Sequence, residues 1–507
     1  MELYRNSLIY TRLAAFVTAW RNSNIGTLVR RFYGWVRRKW EGSILFSVLV
    51  SGGRTEKAWL SSRTRAALTA VVNCVPNFLT WLDGKLGKRL SGGVCGSVFA
   101  YLAEHSAVLI SWLVLAMLVI PQERWNNMYS FAGMGLILIL FWLGGVKKKE
   151  LRLDVGSVGA FAVFFAAMVC LSFIASSYIG LSVRFFVFHL TCMLAVLLIV
   201  SSVRSEQELV RIITFVFIGI AIAGLYGLFQ KAMGIEVDEK LVDLSSSGDT
   251  PGRVFSFFEN PNSYAMMLVV FLPLTFVGAV YFRGVRRLLS LGSLLIGALN
   301  LALTYSRGGW VAIVLAAGLL VMMMWPRFMP LLIIVCVLAL PMLPDTIYSR
   351  LLSILNYSSD SSVTSRGALY KVMWDIIKVR PVRGYGLGSD VIQQAVKDSG
   401  LYASQMDFIH GHDLYLQVAG EMGGLGLFAL LATFAETFRR AARVITSRQG
   451  SRRLQGIAAA LIAGFVGVLV YGIIDYPWYY PRVMVIFWVG FGILAAAIKL
   501  AKDAKEA

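Results

Sequence analysis

Acidic residues are scarce in this 507-residue chain: 28 Asp and Glu stand against 48 Lys and Arg, a formal net charge of +20. Charge of either sign is itself sparse, at 15% of residues against 57% hydrophobic, which excludes an ordinary water-soluble domain. Cysteine is sparse too. Cys74, Cys95, Cys170, Cys192 and Cys336 show no paired spacing, so neither a disulfide framework nor a zinc site is implied. No Walker loop is present, which argues against ATP hydrolysis. No D-x-D pair suggests a sugar-nucleotide metal site, and there is no internal repeat or low-complexity tract. The N-terminus lacks a basic–apolar–small-residue order, so the first span is expected to act as the insertion signal.

Repeated apolar runs of about 20 residues predict an all-α, polytopic helical membrane protein, because a helix satisfies its own backbone in lipid. Twelve spans are expected, at 97–120, 128–146, 155–177, 182–202, 211–230, 262–282, 288–304, 309–325, 329–343, 413–435, 455–474 and 483–499. Alternate connections hold most of the Lys and Arg: Lys147, Lys148, Lys149 and Arg152, then Arg204 and Arg211, then Arg283, Arg286 and Arg287, then Arg327, then Arg439, Arg440, Arg443, Arg448, Arg452 and Arg453. The other short connections hold mostly single basic residues, Arg124, Arg184, Arg307 and Arg482. This asymmetry places both termini in the cytoplasm. The basic excess therefore meets anionic membrane lipid, and nucleic acid is not an expected partner.

Four regions follow. Residues 1–96 carry 15 Lys and Arg against Glu2, Glu41, Glu56 and Asp83, with interleaved aromatics, and read as basic amphipathic helices on the inner leaflet. Residues 97–343 hold spans one to nine. Residues 344–412 form an extracytoplasmic loop of roughly 70 residues, too long for a plain connection. Residues 413–507 hold the last three spans and a cytoplasmic tail. Within the long loop, Ser365 is expected to cap a helix that carries Leu369, Val372, Met373, Ile376 and Ile377 on one face, with Arg366 in its first turn.

Three features fall on the same outer side. His410-Gly411-His412-Asp413 opens the span at 413. Ser306-Arg307-Gly308-Gly309 forms a hairpin, and Arg366 lies in the long loop. An arginine grips phosphate oxygens with parallel bonds, and glycines let an anionic headgroup approach closely. A histidine near pKa ~6.5 can take a hydroxyl proton or donate to phosphate. An H-x-H pair without a third well-spaced ligand is weak ground for a metal site, and none is expected. Arg184, Arg253, Asn260, Asn262, Ser306, Tyr415, Glu421 and Asp475 are further candidates for substrate contacts. Asn262 is equally a helix cap, and Glu421 equally a buried structural acid. His189 reads as a satisfied bundle histidine, whereas Glu104 and His105 within the first span have no evident role.

Together, Asn260-Pro261-Asn262, Tyr305-Ser306-Arg307-Gly308, Arg366 with Trp374, Pro381 with Gly384-Tyr385-Gly386, and His412 with Tyr415, Leu416, Glu421 and Gly423 resemble the O-antigen ligase and polymerase family of bacterial membrane glycosyltransferases. The resemblance spans roughly residues 97–500. It departs at Asp413, where the family commonly shows Asn. It implies an inner-membrane enzyme that moves a glycan from undecaprenyl pyrophosphate to an acceptor hydroxyl on a glycan or lipid, with no cofactor. It also implies catalytic roles for His412, Arg307 and Arg366. Ligase and polymerase differ only in acceptor. A transporter or flippase is the competing class, and would show broken helices and midplane charges.

Overall fold

The computed structural model describes, apart from a few isolated positions, residues 22–41, 53–235, 252–258, 260–339, 361–400, 408–447 and 450–506. The serine run at 245–249, Glu259 and the first part of the long loop lie outside them. No strand occurs among the described residues. The helices are α1 (Asn24–Glu41), α2 (Arg54–Leu60), α3 (Arg63–Val72), α4 (Cys74–Lys85), α5 (Arg89–Gly92), α6 (Val94–Glu104), α7 (Ser106–Val119), α8 (Met128–Lys147), α9 (Val155–Val158), α10 (Ala160–Ile174) and α11 (Ile179–Ser202). They continue as α12 (Glu206–Met233), α13 (Pro261–Tyr281), α14 (Val285–Leu303), α15 (Arg307–Met324), α16 (Met329–Ala339), α17 (Ser361–Val379), α18 (Ser389–Ser399), α19 (Leu414–Ile445), α20 (Arg452–Tyr471) and α21 (Pro481–Glu506).

Every expected span finds a helix, yet only nine are long and apolar enough to cross a membrane among the described residues, or ten with α6 and α7 taken as one. The chain is a multi-pass helical membrane protein. The differences from twelve have local causes. The first span breaks at His105 by 60°. Glu104 beside that break pairs with Lys148, so two polar residues in an apolar run mark a bend rather than a pocket. The third expected span starts late, because Gly159 at φ 106 separates the short α9 from the 15-residue α10. The end of the ninth lies outside the described residues.

Helices α13, α20 and α21 form the centre, with 83%, 83% and 94% of their apolar windows buried. Close helix approach there uses small residues. A Cβ on Gly464 would sit 2.3 Å from the Val270 carbonyl oxygen. Arg482 is buried at the start of α21, donating to the carbonyls of Met117, Ile120 and Phe257 at 2.6–2.8 Å. It ties three segments together rather than sitting in a solvated connection.

The N-terminal helices are built into the opposite, basic end of the bundle. Glu56 pairs with Arg443 at 2.6 Å and Lys502 at 3.7 Å. The Trp59 indole donates to the Gly156 carbonyl, and Asn73 exchanges two hydrogen bonds with the Leu153 backbone. Residues 54–85 therefore pack on the bundle itself, more than a surface anchor requires.

Candidate functional site

Helix α19 holds the key to the site's position. Its course breaks at Gly423, whose φ 68 and ψ −177 are not helical. That break frees carbonyls from the helical ladder. The Gly420 carbonyl accepts from Tyr385 N, the Glu421 carbonyl accepts from Gly386 N, and Gly424 N donates to the Pro381 carbonyl, at 2.7–2.9 Å. The turn at 381–386 is thus stitched into the broken helix, and α17 is fixed beside the start of α19.

Helix α17 begins at Ser361, so Ser365 lies inside it rather than capping it, and Arg366 is in the second turn. Tyr370, one turn beyond Arg366 on the same face, donates to the carbonyls of His412 (3.3 Å) and Ile473 (3.1 Å). A backbone bond of 2.7 Å from Leu414 N to the Gly472 carbonyl clamps the same loop to the end of α20. His412 adopts a left-handed φ of 47, a conformation uncommon for a side chain of this size and concentrated at functional sites.

These clamps bring His410, His412 and Asp475 together. Their ligand atoms lie within 4.8 Å of one another. His412 Nδ1 is 3.4 Å from Asp475 Oδ1. The approach is a close contact rather than an aligned hydrogen bond, since Nδ1 has no partner in good geometry. Burial pushes the Asp475 carboxyl up, but His412, His410 and Arg366 together outweigh it and hold the group down at about 2. At neutral pH, Asp475 is a carboxylate. Asp413, by contrast, turns to cap α19 by accepting from Leu416 N at 2.7 Å. Its carboxyl is raised by burial, so the acid that faces His412 is Asp475.

His410 is 7% exposed, accepts from His412 N through Nδ1 at 3.2 Å, and packs at a tilt against Tyr479 with centroids 4.6 Å apart. Burial, with the charges of His412 and Arg366, depresses it to about 3, although Asp475 acts the other way. The folded state thus resists the proton that the unfolded chain takes up below about 6.5. Stability therefore falls as pH drops from about 6.5 towards 3, by about 2 kcal/mol at pH ~5 from this group. Melting temperature is expected to fall less between neutral and mildly acid pH in His410→Asn than in the wild type. Equal falls would show that His410 is not the buried neutral group.

The Ser306 hairpin joins from α15. Tyr305 is left-handed at φ 52, and the Ser306 hydroxyl caps α15 at Gly309 N while meeting the Tyr471 hydroxyl at 3.0 Å. A Cβ on Gly308 would lie 1.9 Å from the Tyr471 ring. Arg307 is therefore held between two residues packed on Tyr471, half-buried at the head of α15. The charges of Asp475, Arg366 and Arg253 all reach that same tyrosine hydroxyl. Arg253 donates to the Thr304 carbonyl (2.9 Å) and to Asn262 Oδ1 (3.2 Å). The α13 cap is Asn260, through Ser263 N at 2.9 Å, and its amide also bonds Tyr480. Asn262 serves Arg253 instead.

Other candidates stand behind the site. The Tyr415 hydroxyl donates to the Leu469 carbonyl at 2.6 Å. Glu421 is 1% exposed and accepts from Gln417 (2.8 Å) and Tyr476 (3.3 Å), while Gln417 accepts from Gly411 N. That relay supports the His410-Gly411-His412 loop from below. Arg184 pairs with Asp390 at 3.6 Å, away from the histidines. Tyr476 and Trp478 are buried, which leaves Tyr479 and Tyr480 as the partly exposed rings of that aromatic run. His189 is half satisfied: Nδ1 donates to the Phe185 carbonyl, and Nε2 has no partner. Sequence reasoning missed Tyr370 and Tyr471. The four-residue step from Arg366 pointed to Tyr370; no motif marked Tyr471.

The cluster can grip an anion through arginines and offers an imidazole backed by a carboxylate. The two histidines with Asp475 also have ligand spacing for a cation, but the Arg366 charge that reaches His410 and Asp475 opposes a dication there. A family model described as O-Antigen ligase matches residues 291–431. The match takes in Ser306, Arg307, Arg366, His412, Tyr415 and Glu421, whereas Arg253, Asn260, Tyr471 and Asp475 lie outside it. No curated protein matches the chain.

Proposed function

From the O-antigen ligase family domain that this chain carries, we propose that it transfers a glycan from undecaprenyl pyrophosphate to an acceptor hydroxyl at the extracytoplasmic face of a bacterial inner membrane. The grouping of His412 with Asp475 at 3.4 Å, next to the Arg366 charge that acts on Asp475 and on the Tyr471 hydroxyl bonded to Ser306 beside Arg307, supports this reading. Arg307 and Arg366 hold the pyrophosphate and stabilise the charge that grows on it as it leaves. The acceptor oxygen bonds to the anomeric carbon as the bond from that carbon to the pyrophosphate oxygen breaks, with inversion. The hydroxyl proton passes to His412, which Asp475 orients. Guanidinium charge stands in for a divalent metal. The basic ends of α19 and α20, with both termini, face the cytoplasm.

The test is transfer by the purified full chain from a lipid-pyrophosphate oligosaccharide with EDTA present. Product is expected in EDTA, and Arg366→Ala is expected to slow transfer by about 10²–10³-fold. A ladder of product sizes identifies a polymerase; a single addition identifies a ligase. Donor left unconsumed with every acceptor, while solute crosses proteoliposomes, would overturn the proposal in favour of transport.

A further inference from the structure

A cavity of about 180 Å³ lies between α10, α11 and α21, beneath α3. Its walls are mostly hydrocarbon, among them Val158, Ala166, Val196 and Phe491, with the His189 ring and the Cys192 thiol also in the lining, and Leu68 and Val72 of α3 close the basic end. Trp488 lines it deeper in the bundle. Along α11 the lining runs from His189 to Leu197, about 12 Å at a rise of 1.5 Å per residue. An apolar cavity of ~150 Å³ already accepts a benzene ring, so this one has room for a stretch of alkyl chain. Ala162, Val163, Met193 and Leu197 line it while remaining partly exposed, so it opens sideways onto the outer surface of α10 and α11. In a membrane, that surface meets lipid tails.

The mouth is basic. Arg65 lies one turn before Leu68 on α3, and its Cδ is 3.6 Å from where a Cβ on Gly156 would be, next to the lining residue Val155; the acid nearest that point, Asp154 at 3.3 Å, is paired with Lys499. Arg65 Nε is buried without a hydrogen-bond partner. Arg63 is exposed at the same helix start, and α3 contains no acid. A guanidinium at the rim of an apolar crevice complements a phosphate joined to a hydrocarbon chain.

We propose that this cavity binds one chain of an anionic glycerophospholipid, with its phosphate on Arg65. The N-terminal helices then serve as the roof of a lipid site. This goes beyond glycan transfer and does not depend on it. Arg65 is expected to give phosphatidylglycerol about a five-fold advantage over phosphatidylcholine of the same chains, the scale of one arginine at an anionic surface.

Native mass spectrometry of the full chain in detergent, titrated with each lipid, reads this directly. Arg65→Gln is expected to erase the preference, and Ala166→Trp, which fills the cavity, to weaken both lipids. A second readout needs no filled cavity. Phosphatidylglycerol with brominated chains is expected to quench more tryptophan emission in the wild type than in Trp488→Phe. Equal binding of the two lipids by the wild type would overturn the proposal. So would undiminished binding by an Ala166→Trp protein that melts normally, or quenching unchanged by Trp488→Phe.

Discussion

His412→Ala is expected to lower glycan transfer by about 10²–10⁴-fold while leaving membrane insertion and protein level unchanged. The size of the loss follows from the surroundings of the ring. Asp475 is held ionised by the cations around it and stands 3.4 Å from Nδ1. A carboxylate on that side favours the tautomer with its proton on Nδ1 and leaves Nε2 free to accept one. The left-handed backbone at His412 is held by Tyr370 and by Leu414 N, so the ring is placed before substrate arrives. Asp475→Asn keeps the shape but removes the charge, and is expected to reduce turnover with little change in donor binding. Two measurements separate a base from a pyrophosphate ligand: donor affinity and kcat for the acceptor. A base leaves affinity intact in His412→Gln and loses kcat; a ligand loses affinity. Wild-type transfer by both His412 variants would remove the histidine from the mechanism.

The sequence made the span pattern legible, because lipid demands long apolar helices and little else in composition produces them. Its errors share a cause. Glu104, His105 and Gly159 end or bend helices by local chemistry that a hydropathy window averages away. The extension of α19 to Ile445 was equally hidden. Its apolar run stops near 435, but Glu436, Arg439, Arg440 and Arg443 continue the helix through contacts with segments far away in sequence, including Glu56 and the Val158 carbonyl.

The site was legible only in part. Arg307, Arg366 and His412 were readable as candidates by residue type and by the shared side that the charge pattern assigns them. Asp475 was readable as a candidate but not as the partner of His412, since Asp413 is adjacent in sequence and the true pairing crosses from the end of α20. Tyr471 has no signature, being one aromatic among many at a helix end. Pairings between helices are set by packing, and a single sequence does not print them.

Gly423→Ala carries the largest expected structural effect. With φ 68 and ψ −177, this residue occupies a region essentially open to glycine alone. The added Cβ would lie 2.0 Å from the Val382 carbonyl oxygen and 2.6 Å from Arg383 N, both backbone atoms with no room to yield. The strain and the clash act together, and a loss of about 3 kcal/mol or more is expected. If α19 relieves it by straightening, the carbonyls of Gly420 and Glu421 return to the helix. The turn at 381–386 then loses its three backbone bonds, and α17 loses its anchor. Arg366 would move with it, so transfer falls even where the bundle survives. Gly424→Ala is the matched control, because its Cβ would meet only the Pro381 carbonyl at 3.2 Å. Thermal melting should show a large drop for Gly423→Ala and a small one for Gly424→Ala. Hydrogen exchange should show amides 385 and 386 losing protection in the first variant alone. Native melting and protection in Gly423→Ala would mean that the broken helix does not hold the loop, and the placement of Arg366 would need another support.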